Sequence, residues 1–555
     1  DNSVSLVTGL LSGMGQALNG TPLPIGTDRW YWGPSRVLAE TPGVGGNAIT
    51  EMPYFTFIYG DLHAHMIDFS ILLFVVFFLF NELMLAKSET RRPHEIVLAL
   101  AVGAIFVGLI QAINTWDYPS FMLLSIVGLL YIWWRRFETI NRSSLTYLLA
   151  YVGGFIALTQ LAALPYSTWY AATYGSIEPW TQGKTPLWAY LDIHGLFLFL
   201  IVSLLLWDTG RWLRSVRVGV LRGRAAWVYV AALISVVIFL LILALTMMDY
   251  QVVLITIPLI LWIIPLFFRP GQHKAMQFTL VLIGFGLALT TGVEFIVIAG
   301  DIGRQNTVFK FYLQAWILFS VAGGVAFGWI FQHSDTWRNW LRWLWFIPMM
   351  TLLLIAAMYP VMATRARSMD RQSFETPVTL DGHDYMQTSS HVLMDYAEAI
   401  DLAPDYAMIR WLQDNVQGSP VIIEGRSLAS EYRWNSRIAI NTGLPSVLGW
   451  NFHQRQQRTF DPLTRLVDQR EANVKFFYNT SDVGLAVNIL RQYDVSYVIA
   501  GRMEAIMTTP EGLEKFRQMV EMDLLDIVFE DGDSTIFEVS QERLDEFAIN
   551  QQRVQ

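Results

Sequence analysis

The chain has 555 residues, 53% hydrophobic and only 15% charged, where a soluble domain carries about 25% charged residues, so a membrane protein is expected. Its net charge of -9 and its scattered Lys and Arg argue against a nucleic-acid partner, which would need clustered cations for the phosphates. Without any Cys, disulfides and thiolate chemistry are excluded.

The N-terminal segment, residues 1–67, is rich in aromatic and polar groups, including "DRWYWGPSR" and "EMPYFTFIYGDLHAHMI". A spanning helix needs about 20 apolar residues to cross ~30 Å of hydrocarbon. Ten such runs are expected, over residues 68–86, 94–113, 117–134, 145–164, 188–207, 226–247, 250–268, 275–297, 310–331 and 340–361. The sixth and seventh are separated only by "TMMDY" and could instead form a re-entrant pair. Every second loop is basic, from "AKSETRRPHE" to "QHSDTWRNWLRW", and the positive-inside rule assigns these loops to the cytoplasm. The alternate loops, among them "NTWDYP" and "IAGDIGRQNTVFK", then face outward. Ten crossings place residues 1–67 and everything after 365 outside, so a further upstream span is expected. After 365 the composition shifts to short apolar segments with turn signals, such as "PVIIEG", "VSYVIAG" and the strand pair around "DGD", which reads as an α/β domain over residues 366–555.

Chemistry-bearing residues gather in the outward segments. "DLHAH" sets Asp61, His63 and His65 at alternate positions. In an extended chain all three project to one side, and on a helix only Asp61 and His65 share a face. Either geometry supplies ligands for a divalent metal such as Mg or Mn, or a general base with imidazole partners. The plain alternative is a polar cap on the following helix. Asn114 and Asp117 in "NTWDYP" read as a helical hairpin with Asp117 as N-cap, or as substrate contacts. Arg304, Asn306 and Lys310 open the ninth run; Arg offers a planar fork and Lys a point charge for phosphate, while snorkelling or an ion pair with Asp301 is the alternative. Arg36 and Glu51 complete the candidate substrate contacts. Trp30, Tyr31, Trp32, Trp169, Tyr170 and Trp180 are interfacial belts or sugar-stacking platforms.

Taken in order, "DRWYWGPSRVL", "ITEMPYFTFIYGDLHAHMI", "INTWDYPSF", "GRQNTVFKFYLQAW", "TGLPSVLGWNFHQRQQR" and "YVIAGRMEAI" resemble the bacterial and archaeal membrane proteins named for a Tyr-Tyr-Tyr motif. That family looks related to the GT-C glycosyltransferases, integral enzymes that move sugars from polyprenyl-phosphate donors at the outer or lumenal face. The resemblance implies a GT-C-like fold and supports Asp61, His63 and His65 as site residues. Two departures stand out: the naming Tyr triplet is missing and is expected upstream, and Ala64 replaces the Pro of the usual "DLHPH".

The sequence thus predicts a polytopic α-helical membrane protein of the plasma membrane with an extracytoplasmic α/β domain at its C-terminus. Its expected activity is that of a GT-C type glycosyltransferase whose partners are a polyprenyl-phosphate sugar and membrane lipid. The catalytic set is Asp61, His63 and His65, the same three serving as metal ligands in the alternative, with Arg36, Glu51, Asn114, Asp117, Arg304, Asn306 and Lys310 contacting substrate. A lipid or solute transporter, which would carry ionisable groups at helix midpoints, is the rival from another class, and a noncatalytic scaffold the third.

Overall fold

The computed structural model describes residues 29–38, 48–60, 62–88, 91–168, 176–215, 225–371, 375–393, 397–426, 432–458 and 461–554, together with Tyr170 and isolated positions before residue 20. Two compact units emerge, one of Asp1–Trp169 with Tyr174–Asp370 and one of Tyr170–Thr173 with Arg371–Gln555.

The first unit begins with a short helical turn over Arg29–Arg36 and helix α1, Pro53–Tyr59. Pro53 suits the first helical position because its missing N–H would lack a partner there anyway. Gly60 ends the helix at φ +73°, a left-handed conformation costly for residues with a Cβ. Long helices follow in alternating direction: α2 Ala64–Leu85, α3 Pro93–Ile113, α4 Asp117–Phe137, α5 Arg142–Ser167 and α6 Leu187–Ser215. Then come α7 Ala225–Met247, α8 Val253–Phe268, α9 Lys274–Gly292, α10 Gln305–His333 and α11 Asn339–Arg371.

Among the described residues eight of these helices are long and apolar enough to cross a membrane. Helix α8 has 16 residues, about 24 Å at the helical rise, and α7 is a further apolar helix whose side chains are described from Ile234. The two expected runs outside this count fall on α7, a helix of 23 residues whose side chains are described only in part, and on α8, which is short of the about 20 residues a full crossing takes. The outward faces are apolar too: Phe77 on α2 is 62% exposed and Leu149 on α5 is 74% exposed, as lipid contact requires. Small residues bring the helices together. A Cβ on Gly108 of α3 would sit 2.7 Å from the Thr159 carbonyl of α5, so the two backbones meet at a distance only Gly permits.

The eighth apolar run departs from expectation. Helix α9 stops at Gly292, and Ile296–Ile298 forms strand β2, paired antiparallel with β1, Ile177–Pro179. Ile and Val suit either a spanning helix or a strand; a partner strand decides for the second.

At one end of the bundle, the connections after α2, α4, α8 and α10 and the helix turns beside them, with the last turns of α6, carry basic residues. Two of these cations are anchored on buried acids: Arg91 grips Glu82 through two bonds of 2.6 and 2.8 Å, and Arg269 meets Asp208 at 2.6 Å. Tyr151 also donates to Glu82, at 3.1 Å.

The second unit contains a two-stranded antiparallel ribbon, β3 Ser390–Leu393 with β4 Glu398–Asp401. Its main sheet has four strands, β5 Val421–Ile423, β6 Val495–Ala500, β7 Leu525–Asp531 and β8 Ser534–Val539, in the order β5-β6-β8-β7. The β5–β6 pair is parallel and the other two are antiparallel. Helices α12 Ala403–Asn415, α13 Arg437–Thr442, α14 Leu463–Asn479, α15 Val483–Gln492, α16 Arg502–Met507 and α17 Pro510–Glu521 accompany it. Apolar side chains of α14, α15 and α17, among them Phe477, Leu490 and Phe516, form one core with the sheet residues Val498 and Phe537.

Arg437 is fully buried within this unit. Its guanidinium donates to Asp405 at 2.8 Å and to both oxygens of Glu504 at 3.1 and 2.9 Å. Glu424, just after β5, accepts the backbone N–H groups of Ile438 and Ala439 at 3.0 Å each. Burial pushes the Glu424 carboxyl up to about 7 despite Arg437, whereas the Arg437 charge and the Gly425 and Gly501 N–H groups hold Glu504 below the usual range against its own burial. These interactions lock the ends of β5 and β6 to α12, α13 and α16.

Candidate functional site

Three segments of the first unit bring the candidate residues together at the end of the bundle opposite the basic connections. The stretch before α1 is tied down by backbone bonds from Thr50 to Ser35 at 2.9 Å and from Ile49 to Gln305 at 3.4 Å, which fixes Glu51 beside the start of α10. Arg36 Nη1 lies 3.7 Å from Glu51, and its guanidinium stacks over Trp32 at 5.7 Å. His65, in the first turn of α2, turns inward: its Nε2 is 3.3 Å from Thr56 Oγ1 and 3.8 Å from Glu51. The ring of Phe309 meets His65 edge-on at 4.6 Å, and His63 approaches it at 5.1 Å. Burial pushes the Glu51 carboxyl up to about 7, with Arg36 pulling the other way.

One turn deeper is a second group. Asp68 of α2 and Asp117 of α4 are both buried, and their carboxyls face each other. Gln314 of α10 donates to Asp117 at 2.7 Å. Among the described residues the Asp68 carboxyl bonds to no side chain but that of Asp117. Lys310 donates to Asn114 at 3.2 Å and stands within electrostatic reach of Asp68, Asp117 and Asp301. It also influences His65, so the two groups form one contiguous polar layer.

Asp117 therefore does not serve as the N-cap of α4. That position belongs to Trp116, whose side chain makes no capping bond, while the Asp117 carboxylate crosses to neighbouring helices. Nor is Arg304 available as a phosphate fork. It is buried and donates to Glu294 at 2.9 Å, to Thr185 Oγ1 at 2.9 Å and to the Val293 carbonyl at 3.2 Å. Its acid is Glu294 rather than Asp301, because Asp301 is occupied in capping α10: it accepts from Asn306 N and Nδ2 at 3.1 Å and from Thr307 N and Oγ1 at 2.8 Å. Asn306 thus belongs to the cap.

Asp61 lies outside the described residues. Among those described, no three His, Asp or Glu side chains converge closely enough to hold a metal ion, and His65 Nε2 already faces Thr56 and Glu51. The expected metal set of Asp61, His63 and His65 thus lies partly outside the described residues, and no step below uses a metal. The aromatic clusters divide: Tyr31 is core, stacked on Phe55 at 4.5 Å, and buried Trp180 lies over the Arg304 guanidinium at 5.8 Å. Trp169 lies outside the described residues.

Asp68 stands in the sequence with Asp61, His63 and His65 in the polar cluster that opens the first apolar run, although it was not among the expected catalytic or substrate contacts. Sequence reasoning passed over Glu294 and Gln314: Glu294 was visible as a lone acid at the edge of an apolar run, and the Gln314 amide had no comparable signal.

Long apolar helices with lipid-like outer faces, enclosing a polar layer near one end, define a multi-pass membrane protein. Residues 2–319 match the family described as "Uncharacterized membrane protein (DUF2298)", and the chain belongs to that family. Every candidate residue from Arg36 to Lys310 falls inside the matched segment. No curated protein matches the chain.

Proposed function

We propose that this protein is a membrane-embedded transferase of the GT-C glycosyltransferase kind, moving a sugar from a polyprenyl-phosphate donor to an acceptor hydroxyl at the outer face. The observation that carries the reading is the convergence of Arg36, Glu51 and His65 with the Asp68, Asp117 and Lys310 layer at one end of the bundle. The positive-inside rule assigns that end to the outer side, and the α/β unit after residue 370 is extracytoplasmic by the same rule.

Glu51 titrates near 7, where a general base works best at neutral pH. In the proposed step the acceptor oxygen bonds to the anomeric carbon as the bond from that carbon to the phosphate oxygen breaks. The hydroxyl proton passes to Glu51, and the lipid phosphate leaves as an anion. Arg36 carries a planar donor fork suited to that phosphate. Thr56 and Glu51 orient His65, and Lys310 sets its amine beside the two aspartates. The test is transfer from a radiolabelled polyprenyl-phosphate sugar by protein in lipid nanodiscs. Glu51→Gln should lose at least 100-fold in turnover, in line with removal of a general base; turnover equal to wild type would remove Glu51 from the mechanism.

A second reading, a proton-coupled transporter, draws support from the buried Asp68–Asp117 pair, since buried acids in spanning helices also mark ion paths. The acid pair sits within the first two turns of α2 and the first turn of α4, near helix ends rather than midpoints, and that favours the transferase.

A further inference from the structure

A recess of about 1210 Å3 lies between α6, α8 and the start of α11, toward the basic end of the bundle and away from the polar layer. It exceeds the roughly 300–1,000 Å3 of ordinary small-molecule sites. Trp345 of α11 props the recess open by donating to Ser203 of α6 at 3.1 Å, while Gly195 and Gly210 leave open space on the α6 wall. Leu198, Leu206, Ile255 and Leu259 make the body of the recess apolar.

Its mouth is cationic. Arg211, Arg214 and Arg338 line it, with the Arg211 guanidinium stacked over Trp207 at 4.7 Å. The neighbouring acids are committed elsewhere, Asp208 to Arg269 and Asp335 to Arg342. Among the described residues no carboxylate pairs with these three arginines.

We infer that this recess binds an anionic phospholipid, with acyl chains along α6 and α8 and the phosphate headgroup held by Arg211, Arg214 and Arg338. An occupant must be apolar over the depth of the helices and negative at one end. A phospholipid meets both demands, and the planar arginine fork matches phosphate oxygens. A spanning helix from a partner would fill the apolar part and leave three guanidiniums unmatched. The inference is independent of the proposed transferase activity.

The test is native mass spectrometry of the full chain after detergent exchange, titrated with phosphatidylglycerol or phosphatidylcholine. Wild type should retain phosphatidylglycerol at least tenfold more tightly than phosphatidylcholine. The triple variant Arg211→Gln, Arg214→Gln, Arg338→Gln should lose that preference, and Gly195→Leu, which fills the apolar wall, should weaken both lipids. A control of Arg92→Gln with Arg142→Gln, basic-end residues outside the recess, should behave as wild type. Equal retention by the triple variant, equal binding of the two lipids, or an equal loss in the control would each overturn the inference. If the triple variant does not fold, Gly195→Leu decides: unchanged phosphatidylglycerol retention would refute the site.

Discussion

Asp68 of α2 and Asp117 of α4 face each other within the helix bundle and bond to one another, and the amide of Gln314 donates to Asp117 at 2.7 Å. Both aspartates are buried, and two ionised carboxyls so placed would repel. The pair is therefore held by a shared proton, and an amide in place of Asp68 keeps a donor toward Asp117. Asp68→Asn is expected to match or exceed wild type in thermal stability in detergent, whereas Gln314→Ala should lose about 1.5–3 kcal/mol, the value of a hydrogen bond to a charged group. Unfolding followed by circular dichroism tests both, and an Asp68→Asn midpoint well below that of wild type would show that the pair is attractive.

Glu51 gives a pH prediction with a definite sign. Its carboxyl is pushed up to about 7 in the folded chain by burial, against about 4.3 in an unfolded one. The protonated form is the better fit to the fold, so this contribution to stability is complete below the unfolded value and disappears as pH rises through about 7. Wild type should therefore lose more stability than Glu51→Gln between pH 5 and pH 8, by roughly 1–3 kcal/mol. Melting midpoints of the two proteins at both pH values measure the difference; parallel curves would rule out this role.

The Arg304–Glu294 pair is a structural fastening. Glu294 takes a donor from Arg304 at 2.9 Å and two from Thr185, through N at 2.9 Å and Oγ1 at 2.5 Å. Glu294→Gln leaves a buried guanidinium without its counter-charge, which costs about 3–5 kcal/mol. The prediction is a loss of folded protein in Glu294→Gln greater than in Asp301→Asn, read as the monodisperse fraction on size-exclusion chromatography. If Arg304 instead served substrate, Glu294→Gln would spare the yield and change activity alone.

In the second unit, burial lowers the Lys515 ammonium to about 7, although it donates to the carbonyls of Phe477 and Gly512. Charge on this amine opposes folding, so its contribution to stability is complete above the unfolded value near 10.4 and is lost as pH falls through about 7. Lys515→Met keeps the length and removes the titration. The variant should gain on wild type as the pH is lowered from 8 to 6, in urea titrations of the full chain. A constant difference across that range would mean that Lys515 does not titrate there.

Much of this fold was legible in the residues. The apolar run over 94–113 falls on α3, Pro93–Ile113, and the short apolar runs around "DGD" lie on β7 and β8. The apolar run through Ile296–Ile298 was not legible as a strand, because its partner lies more than a hundred residues away in a segment with no alternating pattern. The candidate site was legible by residue type and not by partner. The sequence could place Arg36, Glu51, His65, Asn114, Asp117 and Lys310 on one end of the bundle, but pairings such as Lys310 with Asn114 depend on how α3, α4 and α10 pack. Arg304 illustrates the limit: the sequence offers it phosphate, snorkelling or an ion pair with nearby Asp301, and in three dimensions Asp301 is consumed by four bonds to Asn306 and Thr307 while Glu294 takes the guanidinium.

The β1–β2 ribbon joins the connection preceding α6 to the one following α9, and Lys184 adds bonds to the Trp180 and Glu294 carbonyls at 2.6 and 2.8 Å. Two stretches far apart in the sequence are thereby riveted into one plate, so that a displacement of either is transmitted to the other and to both helices that carry them.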